Sequence, residues 1–190
     1  MKALLRPAVT LFAILTVLTG VIYPLAVTGV GQLFFAHAAN GSIVTVNGKP
    51  VGSELIGQQF SAPGHFWGRL SATGPQPYNA AASSGSNLGP LNPALTDAVK
   101  ARIAALKAAD PGNDQPVPVD LATASASGLD PDISLAAAYY QATRVARARH
   151  LPPEQVKALI DRHAQHPWFG IFGEPRVNVL ALNLTLAGGQ

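Results

Sequence analysis

The chain has 190 residues, no cysteine and, with 13 basic against 10 acidic residues, a formal net charge of +3. Without a thiol there can be no disulfide, no cysteine nucleophile and no Cys-ligated zinc. The isoelectric point near 9.5 suggests nucleic acid, but setting aside Lys2 and Arg6 from the 13 basic residues leaves 11 against 10 acidic ones, too even a balance for a phosphate-backbone footprint, so nucleic acid is excluded as a partner.

Between Arg6 and Lys49 there is no Asp, Glu, Lys or Arg. The stretch 7–36 is almost wholly apolar, and its thirty or so residues exceed the roughly 20 that a helix needs to cross a bilayer. The surplus leaves room for tilt, or for the kink that Pro24 would impose. A cleaved secretory signal is the alternative, since Lys2 and Arg6 form a basic start and Ala36-His37-Ala38 resembles a cleavage site, yet a signal's apolar core is only about 7 to 15 residues long. The charges near the span place residues 1–6 in the cytoplasm, 7–36 in the membrane and 38–190 outside it, in one extracytoplasmic α+β domain anchored in the cell (inner) membrane. Thr16, Gly20, Pro24 and Thr28 recur at four-residue steps, either as a packing stripe for another membrane helix or as scattered small residues.

Beyond the span, Asn47-Gly48 lies between two short β-prone runs in residues 42–51 and predicts a type I′ hairpin. Residues 52–93 are rich in Gly, Ser, Pro, Asn and Ala, with no sustained period. Phe60, Phe66, Trp67 and Tyr78 predict that they are ordered irregular structure and not a linker. Asn92 as N-cap, Pro93 at the first position and Leu95, Val99, Ile103 and Leu106 on one face predict a helix over 93–109, ended by Pro111-Gly112. A second helix is expected over 134–149, with Tyr139, Ala142, Val145 and Ala146 inward and Arg144, Arg147 and Arg149 solvated; a third starts at Pro152 and buries Val156, Leu159 and Ile160. Over 177–186, the alternation of Leu180, Leu182, Leu184 and Leu186 predicts a half-buried strand.

Chemistry-bearing motifs are few. There is neither a phosphate-binding glycine loop nor a phosphorylatable aspartate motif for ATP hydrolysis, and no cofactor motif. His163 and His166, with His150, could approach a metal, but three ligands cannot be named and no metal site is assigned. Asp130-Pro-Asp132 reads as a turn and helix entry in preference to an acid/base pair. Ser84, Ser86, Ser125 and Ser127 lie beside glycines without the elbow of a serine hydrolase, though a membrane-tethered extracytoplasmic hydrolase stays as the alternative function.

Several ordered segments taken together resemble one family. Gly52-Ser-Glu-Leu-Ile-Gly-Gln58, Phe66-Trp-Gly-Arg69 with Ser71-Ala72, Ser84-Gly-Ser-Asn-Leu-Gly-Pro90, Val117-Pro-Val-Asp-Leu121 with Thr123-Ala-Ser-Ala-Ser-Gly-Leu-Asp-Pro131, and Gly173-Glu-Pro-Arg-Val-Asn-Val-Leu180 are similar to KdpC, the C subunit of the Kdp high-affinity potassium-transporting P-type ATPase. The chain departs from the pattern at Leu70, Ser84, Leu91, Asp132 and Leu135. The resemblance implies a non-catalytic subunit in a complex with a potassium-binding channel-like subunit, a P-type ATPase subunit and a small membrane subunit. ATP and potassium are then handled by the partners, and this chain raises the ATP affinity of the ATPase subunit as a catalytic chaperone. Because the charge pattern puts the domain outside, the effect is expected to be indirect. The expected contact loops are Ser84, Gly85, Ser86, Asn87 and Gly89, and Ser125, Ser127, Gly128 and Asp130, with Tyr140, Gln141 and Arg144 as further candidates; each could equally be structural.

Overall fold

The computed structural model describes residues 2–188, so Met1, Gly189 and Gln190 of the expected termini lie outside the described residues. The chain divides into two compact units, Met1–Ile43 and Val44–Gln190.

The first unit is one long apolar helical run. α1 (Lys2–Val17) passes into a π-helical turn (Leu18–Ile22) and then into α2 (Tyr23–Phe34). Within Ala3–Phe34 an 18-residue stretch has a mean hydropathy of 2.1, and none of these residues is buried within the chain, as suits a helix whose solvent is lipid. Pro24 has no N–H to offer the carbonyl one turn back, and the wide turn just before it, closed by the Tyr23 N–H on the Leu18 carbonyl, accommodates the break. That turn lies between Thr16 and Pro24 and contains Gly20. Phe35 leaves helical geometry, and α3 (Ala36–Ala39) follows.

The second unit opens on the expected hairpin, β1 (Ile43–Val46) and β2 (Lys49–Ser53). Asn47 and Gly48 at its tip both have positive φ, 52° and 75°, as a type I′ turn requires. The one helical element in residues 54–92 is a 3-10 helix (Ala80–Ala82). α4 (Pro93–Ala109) then starts where Asn92 accepts the Ala94 N–H, and buries Leu106. The short α5 (Val119–Ala122) and β3 (Asp132–Ser134) lead into α6 (Leu135–Arg149), capped by Ser134 accepting from the Ala137 N–H. α7 (Pro153–His163) packs on α6 with Val156, Leu159 and Ile160 buried. β4 (Arg176–Asn178) pairs antiparallel with β3, Ile133 opposite Val177, and α8 (Val179–Leu186) closes the domain.

Three expectations are corrected. The strand over 177–186 is one of three residues, 176–178, followed by a helix. Asn178 turns the chain by accepting the Ala181 N–H, and the helix that follows buries Val179, Leu180, Leu182 and Asn183 on its inner face. A short helix of mostly apolar residues, with Asn183 and Thr185 its only polar ones, mimics a strand's alternation. Arg144, expected in solvent, is 3% exposed, and Tyr139, expected inside, is 41% exposed, its hydroxyl donating to Asp161.

Candidate functional site

The irregular segment 62–70 crosses the interior without joining a sheet, which leaves its backbone polar groups to be satisfied one by one. Side chains from three helices do this. Asn183 in α8 accepts the Phe66 N–H at 2.8 Å and donates to the Phe66 carbonyl at 3.0 Å, while Gln141 in α6 accepts the Trp67 N–H at 2.8 Å and donates to the Trp67 carbonyl at 3.1 Å. Each carboxamide thus replaces a neighbouring strand. Arg144 donates to the carbonyls of Pro63 and His65 and to Gln141 Oε1, Arg149 to Gly64, and Arg102 in α4 to Gly68. The Ala62 carbonyl takes the Trp67 indole N–H, the Arg69 carbonyl the Tyr78 hydroxyl, and the Leu70 carbonyl the Ser125 N–H. Every carbonyl from Ala62 to Leu70 therefore has a partner. Two guanidiniums lie over the Trp67 ring, Arg144 at 4.9 Å and Arg102 at 5.2 Å from its centroid, a cation–π pair on one indole.

This fixed segment carries the two expected contact loops, and the structure brings them together. The Ser84 N–H donates to the Ser127 carbonyl at 3.0 Å, and the Ser83 hydroxyl to the same carbonyl at 3.0 Å. Gly128, with φ +67°, packs so closely that a Cβ there would stand 2.5 Å from Thr73 and 2.8 Å from the Ser84 carbonyl; one on Gly85 would stand 2.8 Å from the Ala126 carbonyl. Ser71 ties the second loop to the irregular chain, donating to the Gly128 carbonyl at 2.6 Å and accepting the Tyr78 N–H. Ser84, Ser86, Asn87, Gly89 and Ser127 face solvent, Gly85 and Asp130 are half-buried, and Ser125 and Gly128 are buried. Tyr140, Gln141 and Arg144 lie in the interior, at 5, 1 and 3% exposure, where Gln141 and Arg144 hold the segment and do not present a surface.

Beside the loops an open cavity of about 260 Å³ is lined by Arg69, Asp120, Asp130, Asp132, Glu174 and Arg176. Arg69 pairs with Asp130 and Arg176 with Asp132, both at 2.9 Å. Burial holds the Asp132 carboxyl above the usual range despite Arg176. The Asp130 side chain also accepts the Asp132 N–H, which makes the expected turn, but β3 intervenes before the helix. Asp120 accepts the Ser134 N–H at the start of α6.

Two of the serines bond within the loops, Ser84 donating to the Gly85 carbonyl and Ser127 accepting the Leu129 N–H, while the buried Ser125 hydroxyl has no partner among the described residues. Among the described residues no group of three His, Cys, Asp or Glu side chains could hold a metal. His163 instead meets Thr185 at 3.1 Å. Burial, reinforced by Arg149 and Arg144, lowers the pKa of His65, and burial with Arg162 lowers that of His163. The unfolded chain thus takes up these protons first, and stability falls as pH drops below about 6.5 until the folded values are passed. Asp132 acts with the opposite sign and in the carboxylate range. Urea midpoints should therefore fall between pH 7.5 and 5.5, and fall less in the double variant His65→Gln, His163→Gln.

The features missed by sequence reasoning are Arg102 and Asn183, while Arg149, expected in solvent, is half-buried and donates to the Gly64 and Leu186 carbonyls. A signal was present for Asn183, a lone carboxamide within Val-Leu-Ala-Leu-Asn-Leu-Thr-Leu, since a polar group in so apolar a run must find a buried partner.

An apolar helix of membrane length followed by a mixed helix and strand domain defines a membrane-anchored α+β protein. Residues 5–188 match the family model of KdpC, described as "K+-transporting ATPase, c chain". The potassium-transporting ATPase KdpC subunits of Herminiimonas arsenicoxydans and Polaromonas naphthalenivorans are each 68% identical to the chain over 186 residues, covering 98% of it and 98% and 95% of their own lengths. That of Dechloromonas aromatica is 65% identical, covering 98% of this chain and 97% of its own. The chain belongs to the KdpC family, the c chain of potassium-transporting ATPases.

Proposed function

We propose that the chain is the accessory subunit of an ATP-driven potassium import complex. It assists assembly and raises the ATP affinity of the ATPase subunit without hydrolysing ATP itself. The amino terminus is cytoplasmic and the domain extracytoplasmic, so the effect on ATP is indirect, transmitted through assembly or through the channel-like subunit. ATP and potassium are bound by the partner subunits, and this chain needs no cofactor of its own.

The observation that carries this reading is the paired loops at 83–90 and 125–131. They are locked to each other and to the 62–70 segment, yet present Ser84, Ser86, Asn87 and Gly89 to solvent. Interior side chains hold this exposed edge in one shape, which suits a preorganised protein contact.

Affinity purification in mild detergent tests the proposal. The tagged chain should bring down a potassium-stimulated ATPase, and the chain freed of its partners should hydrolyse no ATP. Recovery as a lone polypeptide with hydrolase activity of its own would contradict it.

A further inference from the structure

Between His166 and Glu174 the sequence reads Pro-Trp-Phe-Gly-Ile-Phe-Gly, without a charge. Trp168, Phe169, Ile171 and Phe172 are 78, 86, 78 and 70% exposed. The other exposed large apolar residues described in this unit, Leu55, Leu91, Val119 and Tyr139, stand singly along the sequence. A concentrated apolar tip of this kind marks an interaction site.

The tip is built to enter an apolar medium. Trp168 and Phe172 exchange both backbone hydrogen bonds, at 2.9 and 3.0 Å, while the Gly170 N–H donates to Pro167 and the Ile171 N–H to Trp168. Phe169 and Gly170 take positive φ, 54° and 72°, to make the turn. At its base Gln165 and Arg176 exchange a further pair, 2.8 and 3.0 Å. Four amide donors at the tip are thus satisfied internally, which lowers the desolvation cost that keeps open loops out of lipid.

We propose that this loop is a second membrane anchor, seated in the headgroup and acyl boundary of the bilayer that Ala3–Phe34 crosses. The chemistry favours lipid over a protein partner. The Trp168 indole N–H is the sole side-chain hydrogen-bonding group from Pro167 to Gly173, so little could set the register of a protein contact. A tryptophan with phenylalanines, polar at one edge and apolar elsewhere, matches the interfacial belt. The connection over residues 35–43 spans at most about 30 Å even if extended, and a domain of this length has a radius of gyration of about 15 Å. The bilayer surface is therefore always at high effective concentration, and weak insertion suffices.

Photocrosslinking in the intact complex in cells tests this, with p-benzoylphenylalanine introduced at Phe169 and, as a control, at the exposed Val119. Both sites are at the surface, so the fold is retained. Phospholipid adducts, read by intact mass of the tagged chain, should exceed those at Val119 by about tenfold or more. A crosslink from position 169 to another polypeptide, equal lipid labelling at both positions, or no lipid adduct would overturn the proposal.

Discussion

Replacing Arg144 with methionine should lower the stability of the domain by about 3–5 kcal/mol, because several charge-assisted hydrogen bonds in a buried site disappear. The guanidinium reaches the carbonyls of Pro63 and His65 and the Gln141 side chain, and it covers one face of Trp67. Methionine keeps much of the stem's packing but leaves the two carbonyls without a donor. Burial pushes the Arg144 pKa down to about 10, which still leaves it charged at neutral pH. Arg144→Lys should recover only part of the loss, since an ammonium cannot reproduce the planar fork. Urea unfolding of the detergent-solubilised chain, followed through the Trp67 environment, measures both variants. A loss under about 1 kcal/mol for Arg144→Met would show that the segment does not depend on this clamp.

Gly128→Ala should have the second largest effect, by separating the two loops. A methyl at φ +67° is disfavoured by about 1–2 kcal/mol, and its close approach to Thr73 and the Ser84 carbonyl adds an overpacking cost of about 1–3 kcal/mol. The backbone must shift, so the hydrogen bond from the Ser84 N–H to the Ser127 carbonyl should be the first to break. Recovery of partner subunits with the tagged chain should fall severalfold while the α6 and α7 core stays folded. Gly112→Ala, an exposed position outside both loops, is the contrast and should leave recovery unchanged, because nothing lies within 4 Å of a Cβ there. Full recovery of partners with Gly128→Ala would remove the loops from the proposed interface.

Local signals foretold the elements with strong end markers. Asn92-Pro93, Ser134 and the Asn47-Gly48 turn each carry their cap or φ requirement in one or two residues, and the structure places them accordingly. The last ten residues of the core misled because Leu alternation and a largely apolar helix share one pattern, and the deciding feature, Asn178 as N-cap, depends on where β4 ends. Arg144 misled for a related reason. Charge predicts solvent, and only the tertiary arrangement of 62–70, with its carbonyls in need of donors, makes an interior arginine favourable. The two glycine-rich loops were legible as shaped segments. Their mutual contact was not, because it joins residues some forty positions apart through backbone groups that have no side-chain signature.

Placement of the domain outside the cytoplasm is the premise on which an indirect influence on ATP depends. Ala187 is exposed near the end of α8, and the chain has no cysteine, so Ala187→Cys introduces the one thiol this subunit carries. Treating cells with a membrane-impermeant maleimide, with the outer membrane opened and the inner membrane intact, should label position 187 fully. Labelling only after the inner membrane is permeabilised would place the domain on the nucleotide's side of the membrane and contradict the indirect mechanism.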